Sequence, residues 1–273
     1  MRIGVRGHDY GCASPKEMAK RISEAGFCCF QLALHKAIEG VKPEYGHLSP
    51  GFCYEVRSAF EERNLEVAVL GCYIDPACED KEKRMGEVKR FREQVAYCRQ
   101  LGSSIVATET SGFKGEEADR KAQFERLTDS VLRMTEQAEK FGVFVGIEPV
   151  LNHTLNTPEL TRKLLDIVAS DNLQVVLDPI NLLSPQNIDR QREILDECFA
   201  LFGDRLAAIH AKDVMLDENG KFKPCVIGTG LFDHQYFYDR LMRIKPGISV
   251  LREEARPETA HLDIAALKRF AGE

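Results

Sequence analysis

Eight short apolar runs, each followed by a segment of helical character, divide this chain along its whole length. They cover residues 2–6, 28–32, 66–72, 104–108, 143–148, 173–178, 206–210 and 248–253. Aliphatic and β-branched side chains dominate them, and their lengths are those of strands rather than helices. The intervening segments carry recognisable helix ends. Ser14-Pro15-Lys16-Glu17 places a capping hydroxyl before a proline and an acid, and Thr157-Pro158-Glu159 opens a later segment in the same way. A charged, periodic segment over 80–101 stops at Gly102, one over 121–141 at Gly142, and one over 189–202 at Gly203, all plausible C-cap positions. The tail after Glu258 predicts a closing helix. Strand then helix, repeated in this way, predicts an α/β chain forming a single (β/α)8 TIM barrel over residues 1–273, a length that suits one such barrel. The competing topology is an open, doubly wound sheet, which often carries a glycine-rich nucleotide loop after its first strand. Here Gly7-His8-Asp9-Tyr10-Gly11 follows that strand and lacks the required spacing. No linker or low-complexity stretch interrupts the pattern, so one domain is expected.

In a barrel of parallel strands the C-terminal strand ends gather on one rim, where sites form. Four of the runs end there in side chains able to hold a metal: VFVGIEP in Glu148, LQVVLDP in Asp178, LAAIHAKD in His210 and ISVLREE in Glu253. Taken singly, each has a plain structural explanation. Glu148 could be an ion-paired rim acid, Asp178 the cap of an Asp-Pro turn, and His210 a satisfied core histidine. Their recurrence on successive runs favours a shared polar site, because carboxylates are costly to bury unless paired or metal-bound. Side chains alternate along a strand, so only one of Glu253 and Glu254 can face the axis; Glu253 is the choice and Glu254 the reserve. Three carboxylates and one imidazole suit Mn2+, Mg2+ or Co2+, with Zn2+ as a further candidate.

Other residues at the same rim are candidates for holding a substrate. They are His8 after the first run, Glu109 after the fourth, Asn181 after Asp178, and Lys212 beside His210. The plain alternatives are a salt-bridged Glu109 paired with Arg or Lys, and a Lys212 paired with Asp213 or another rim acid. Arg6, Gln31 and Tyr73 lie at further strand ends, and His153 is read as structural or solvent-exposed. The Pro- and Gly-containing stretch 40–54 follows the second strand and reads either as a lid over the rim or as a solvated excursion.

Composition narrows the function classes. The net charge of −6 argues against a nucleic-acid surface, which needs a basic patch, yet leaves room for a small anion held by one local cation. No run approaches the roughly 20 apolar residues of a membrane span. The start MRIGVRGHDYG has no apolar core of a signal peptide, so a cytoplasmic protein is expected. Nine cysteines, an odd count with Cys28 and Cys29 adjacent and no Cys-x-x-Cys pair, read as buried or semi-buried free thiols.

With these residues in place, the chain resembles the xylose isomerase-like TIM barrels, a superfamily that includes ketose 3-epimerases, sugar isomerases, inosose dehydratases, hydroxypyruvate isomerases and endonuclease IV. The order Glu148, Asp178, His210, Glu253 carries the resemblance, with His-x-Lys-Asp at 210–213 and a Gly-x-Gly-x-x-Asp loop at 228–233. The runs LGCYIDP (70–76) and ATETS (107–111) are similar to a branch described only as sugar phosphate isomerase/epimerase. The resemblance implies that the four rim residues bind one divalent metal, and that Glu148 and Glu253 move protons on opposite faces of a sugar or polyol substrate. It implies an enediolate intermediate next to a carbonyl, and leaves room for a homo-oligomer. One departure stands out: where epimerases often have Asp-x-x-His, this chain has Asp178-Pro179-Ile180-Asn181, and Asn orients a hydroxyl or water without exchanging a proton. The trinuclear site of endonuclease IV needs more histidines than this rim supplies. Metal-dependent isomerisation or epimerisation is the expected activity. An inosose-dehydratase-like lyase and a non-catalytic sugar-binding barrel are the alternatives.

Overall fold

The computed structural model describes residues 1–113 and 115–273. Eight parallel strands close into a barrel: β1 (Arg2–Arg6), β2 (Cys29–Leu32), β3 (Glu66–Gly71), β4 (Ile105–Glu109), β5 (Phe144–Glu148), β6 (Leu173–Leu177), β7 (Leu206–Ala211) and β10 (Ser249–Arg252). Each strand pairs with its sequence neighbour in the barrel, and β1 closes the ring against β10, with Val5 opposite Arg252. Two short strands, β8 (Val214–Leu216) and β9 (Phe222–Pro224), form an antiparallel hairpin after β7 that stands apart from the barrel. The eight-run reading of the sequence did not contain this hairpin. Its turn is held by the Asp217 carboxylate, which accepts from the backbone N–H groups of Asn219 and Lys221.

The helices return the chain along the outside: α1 (Pro15–Glu24), α2 (Leu34–Ala37), α3 (Pro50–Glu61), α4 (Lys81–Tyr97), α5 (Glu117–Phe141), α6 (Pro158–Val168), α7 (Gln191–Phe202), α8 (His234–Ile244) and α9 (Ala260–Phe270). Their starts follow the capping chemistry of the sequence. Ser14 accepts from Glu17 N–H, Thr157 from Leu160 N–H, and Asp80 from Glu82 and Lys83 N–H. Gly142 ends α5 in the left-handed conformation, as expected. Gly203 behaves differently: its φ is −57°, and it continues into a 3-10 turn, Gly203–Arg205, instead of closing a left-handed cap. The stretch 40–54 is largely exposed, in line with the solvated alternative. Its second part is already helical, as the start of α3, and its first part lies against α4, where Gly46 N–H donates to the Glu93 carboxylate and Lys89 sits over the Tyr45 ring.

Two apolar regions hold the barrel. Between strands and helices lies the larger, with Phe30, Phe60, Phe91, Phe202 and Tyr238 fully buried. Burying each such ring contributes on the order of 1.5–3 kcal/mol. Inside the barrel the side chains are small: Cys29, Ala68, Ala107 and Ala208 pack with Val69, Val176 and Leu251. An eight-stranded barrel leaves only enough room for such a layer, which becomes the floor beneath the polar rim. The nine cysteines are all free; Cys12 and Cys28 are exposed, which corrects the expectation of uniformly buried or half-buried thiols.

Candidate metal centre and active site

The site is assembled from the ends of β5, β6, β7 and β10. Alternation along the chain decides which side chains enter it. His210 and Lys212 are two residues apart and both face the barrel axis. Asp213, between them and the hairpin, faces away. Its carboxylate accepts from the backbone N–H groups of Val214, Gly228, Gly230 and Phe232, and lies 3.2 Å from His234 Nε2. Asp213 therefore holds the Gly-x-Gly loop and does not pair with Lys212. Gly230 is required there, because a Cβ at that position would fall 2.2 Å from the Asp213 carboxylate. At the end of β10 the same alternation sends Arg252 outward to Asp263, at 3.1 Å, and Glu253 inward. Glu254 then turns away, exposed, with φ at +56°.

Glu148, His210 and Glu253 are all buried, and each brings one ligand atom within 4.8 Å of the others. His210 Nδ1 lies 3.1 Å from a Glu148 oxygen and 3.1 Å from a Glu253 oxygen. That nitrogen finds no well-directed hydrogen bond among the described residues. Its partner nitrogen, Nε2, is taken: it lies 2.6 Å from Gln31 Oε1, and the Gln31 amide donates to the Tyr73 hydroxyl at 2.9 Å. With Nε2 engaged by the amide oxygen, Nδ1 is the nitrogen offered to the two carboxylates. A buried ring nitrogen without a directed partner, facing two convergent carboxylates, is a donor set that fits a divalent cation.

Asp178, which the sequence groups with these three, stands beside them and meets them through Lys212. The ammonium lies 3.0 Å from Asp178 Oδ2, 2.8 Å from Glu253 Oε2 and 3.0 Å from Asn181 Oδ1. Asp178 Oδ1 meanwhile accepts from the N–H groups of Ile180 and Asn181 and so caps the turn that follows β6. Asn181 completes the network by donating from Nδ2 to Glu148 Oε1 at 2.7 Å. Arg6 adds a second cation, 3.2 Å from Glu253 Oε2, and is itself held by Asp9.

These contacts set the charges. Burial works to raise the Glu253 carboxyl, but His210, Lys212 and Arg6 outweigh it and hold the group below the usual carboxylate range. Asp178 goes the other way: complete burial, with Glu253 and Glu148 adding to it, outweighs Lys212 and raises its pKa. His210 is opposed by burial, yet Glu148 and Glu253 push it up to about 9. Lys212 is raised by Asp178 and Glu253 against burial, so its charge is secure.

The remaining candidates sit nearer the mouth. Glu109 is the registered neighbour of Glu148 across β4 and β5, and burial together with Glu253 raises its pKa. The basic side chain set against it among the described residues is His153, at 3.9 Å, whose pKa burial lowers, rather than an arginine or lysine. His8 lies in the 3-10 turn after β1, edge-on to Tyr73, and burial aided by Arg6 and Lys36 lowers it to about 3, which keeps the ring neutral. Lys36, with its ammonium 3.7 Å above the Tyr73 ring, and Asp9, which anchors Arg6 and accepts from Ala255 N–H, were absent from the sequence reading. The Arg6–Asp9 spacing is a readable signal. Lys36 lies four residues beyond the end of β2, in the short helix α2.

A family model of the xylose isomerase-like TIM barrel matches residues 19–270. The chain belongs to that family. No curated protein sequence matches it. Among solved structures it is similar to a D-tagatose 3-epimerase-like protein, with a TM-score of 0.79 and 17% identity over 100% of this chain and 97% of that one. It is similar to 3-keto-D-glucoside 4-epimerase from E. coli, with a TM-score of 0.75 and 18% identity over 98% and 99% of the two chains. A xylose isomerase-like TIM barrel protein from Mycobacterium smegmatis in complex with magnesium gives a TM-score of 0.73 and 14% identity over 99% and 97%. At these identities the likenesses establish the shared fold. No helix among the described residues is long and apolar enough to cross a membrane.

Proposed function

We propose that this chain is a single-domain, divalent-metal-dependent isomerase or epimerase of a sugar or sugar derivative, acting by proton transfer at the carbon next to a carbonyl. The observation that carries the reading is the convergence of Glu148, His210 Nδ1 and Glu253 in a buried, rim-facing cluster. The epimerases among the structurally similar proteins, and the magnesium bound by one of those proteins, support it. Glu148, His210 and Glu253 would hold the ion, with Asp178 a further carboxylate beside them. A bound divalent cation supplies Lewis acidity to a carbonyl and its neighbouring hydroxyl.

The chain's own residues do the rest. Glu253, with Lys212 and Arg6 beside it, is kept in the ionised form that a carbon-bound proton can be passed to. Glu148, whose Oε1 is held by Asn181, is the second proton-transfer group and would return a proton from its own side. Lys212 presents its positive charge where negative charge develops on the substrate oxygens. Asn181, Glu109 and the neutral His8 ring are placed to bind hydroxyl groups. The buried Gln31–His210 contact keeps the imidazole in place throughout.

The test is solvent deuterium incorporation at the carbon next to the substrate carbonyl, measured over a panel of ketoses and keto-sugars with saturating Mn2+. Wild type is expected to incorporate label. Glu148→Gln and Glu253→Gln are expected to lose it by about 10²–10⁴-fold, the usual contribution of a general base. Full exchange by both variants would remove these glutamates from the mechanism.

A further inference from the structure

Beside the cluster opens a cleft of about 580 Å³. It is continuous with the site, because Asn181 and Lys212, both bonded to the cluster's carboxylates, form its inner end. Its walls are mostly carbon, from Leu151, Ile180, Leu183, Val214, Phe222 and Pro224, with Asn152, Ser184 and Gln186 adding polar groups. The β8–β9 hairpin supplies three of these, which gives that unexpected element a purpose. The volume lies in the range of clefts that take small-molecule ligands. A free hexose, about a dozen heavy atoms at no more than ~30 Å³ each, would leave much of it empty, and its reacting carbon must in any case lie at the cluster.

The charge of the cleft is as informative as its shape. Its one basic lining residue among the described residues is Lys212, whose ammonium is already shared among Asp178, Glu253 and Asn181. At its edge stands the Glu254 carboxylate. Glu254 is held with φ at +56°, a conformation that costs a non-glycine residue and recurs at functional sites. A phosphate in this cleft would meet the Glu254 carboxylate, and the one cation there, Lys212, is already shared by two carboxylates. An uncharged apolar or aromatic group would meet matching walls.

We propose that the cleft takes the apolar or aromatic aglycone of a glycosidic substrate, so that the chain acts on neutral, substituted sugars rather than on free or phosphorylated ones. The proposal rests on the sugar-isomerase reading above and adds the substrate class to it. The sugar ring carries the reacting carbonyl at Glu148 and Glu253, and the glycosidic substituent extends past Asn181 and Lys212 between Leu151 and Phe222.

Calorimetric titration of the Mn2+-loaded full chain tests this without turnover. The probes are phenyl β-D-glucopyranoside, phenyl β-D-galactopyranoside, D-glucose and D-glucose 6-phosphate. At least one phenyl glycoside is expected to bind tenfold or more tightly than D-glucose, and the phosphate no more tightly than D-glucose. Phe222→Ala is expected to cut the phenyl advantage several-fold, and Glu254→Gln to strengthen phosphate binding relative to wild type. Equal affinity for glycosides and glucose, absence of glycoside binding by the metal-loaded protein, or preferred binding of the phosphate would each overturn the proposal. Failure of the enzymatic reading is separately visible: it would show as loss of Mn2+ binding or of proton exchange, whatever the order of these affinities.

Discussion

Replacing Lys212 with methionine tests the logic of the site most sharply, because it removes a charge and keeps an unbranched chain. The Lys212 ammonium sits within 3.0 Å of Asp178, Glu253 and Asn181, and the two carboxylates it touches are 0% and 3% exposed. Taking away one partner of a buried ion pair leaves uncompensated charge and typically costs about 3–5 kcal/mol. For a chain of this size each kcal/mol moves the melting temperature by roughly 2–4 °C, so metal-free Lys212→Met is expected to melt roughly 6–20 °C below wild type. A divalent cation then has more to do in the variant. Ligand at a hundred times its dissociation constant stabilises the native state by about 2.7 kcal/mol. With the competing ammonium gone, Mn2+ should bind the variant's carboxylates at least as tightly and recover a larger share of lost stability than it adds to wild type. Differential scanning calorimetry with and without Mn2+ measures both quantities. A metal-free melting temperature equal to that of wild type, or an Mn2+ increment no larger in the variant, would refute the picture of Lys212 as the internal counter-charge of this cluster.

The His210 and Glu253 shifts set a stability window for the metal-free protein. His210 is raised to about 9, so its contribution is complete below its unfolded value near 6.5 and is lost as pH rises through about 9. Glu253 is lowered, so its contribution is present above the ordinary carboxylate value and is lost as pH falls below it; Asp178, raised by burial, works against it on that side. The metal-free melting temperature should therefore fall between pH 7 and pH 9, while the increment added by Mn2+ grows because Nδ1 must shed its proton to bind; a metal-free melting temperature flat over that range would contradict the charge assignment. Removing the support of His210 should act on the metal alone: Gln31→Leu is expected to weaken Mn2+ binding by about 10–100-fold, and Gln31→Glu, which keeps an acceptor for Nε2, to restore most of it. Titration calorimetry showing all three proteins alike would remove Gln31 from that role.

Much of the barrel was readable because its signals are local. The eight runs and the caps at Ser14, Thr157 and Gly142 each need only their immediate neighbours. The exceptions are places where distant contacts decide. Gly203 looks like Gly142 in sequence, yet it opens a 3-10 turn into β7. The β8–β9 hairpin, with strands of three residues each, is too short to register as a pair of strands, and its first strand buries only Val214.

The site divides along the same line. That Glu148, His210 and Glu253 end on one rim follows from strand position, and the choice of Glu253 over Glu254 follows from alternation. Which atoms they present does not. The offered nitrogen of His210 depends on Gln31, 179 residues away in sequence, and Gln31 depends in turn on Tyr73. Asp178 has the same strand-end position as Glu148, but its shorter side chain spends one oxygen on the turn at Ile180 and Asn181 and the other on Lys212. Lys212 itself read as the partner of Asp213, its neighbour, or of another rim acid, and the second is what the fold holds. In the fold the two point to opposite sides, and the ammonium neutralises two acids drawn from strands that the sequence keeps 34 and 41 residues away. A cation supplied by the chain itself offsets the charge of buried carboxylates before any metal arrives, which is why loss of the Lys212 charge is expected to lower the stability of the metal-free barrel.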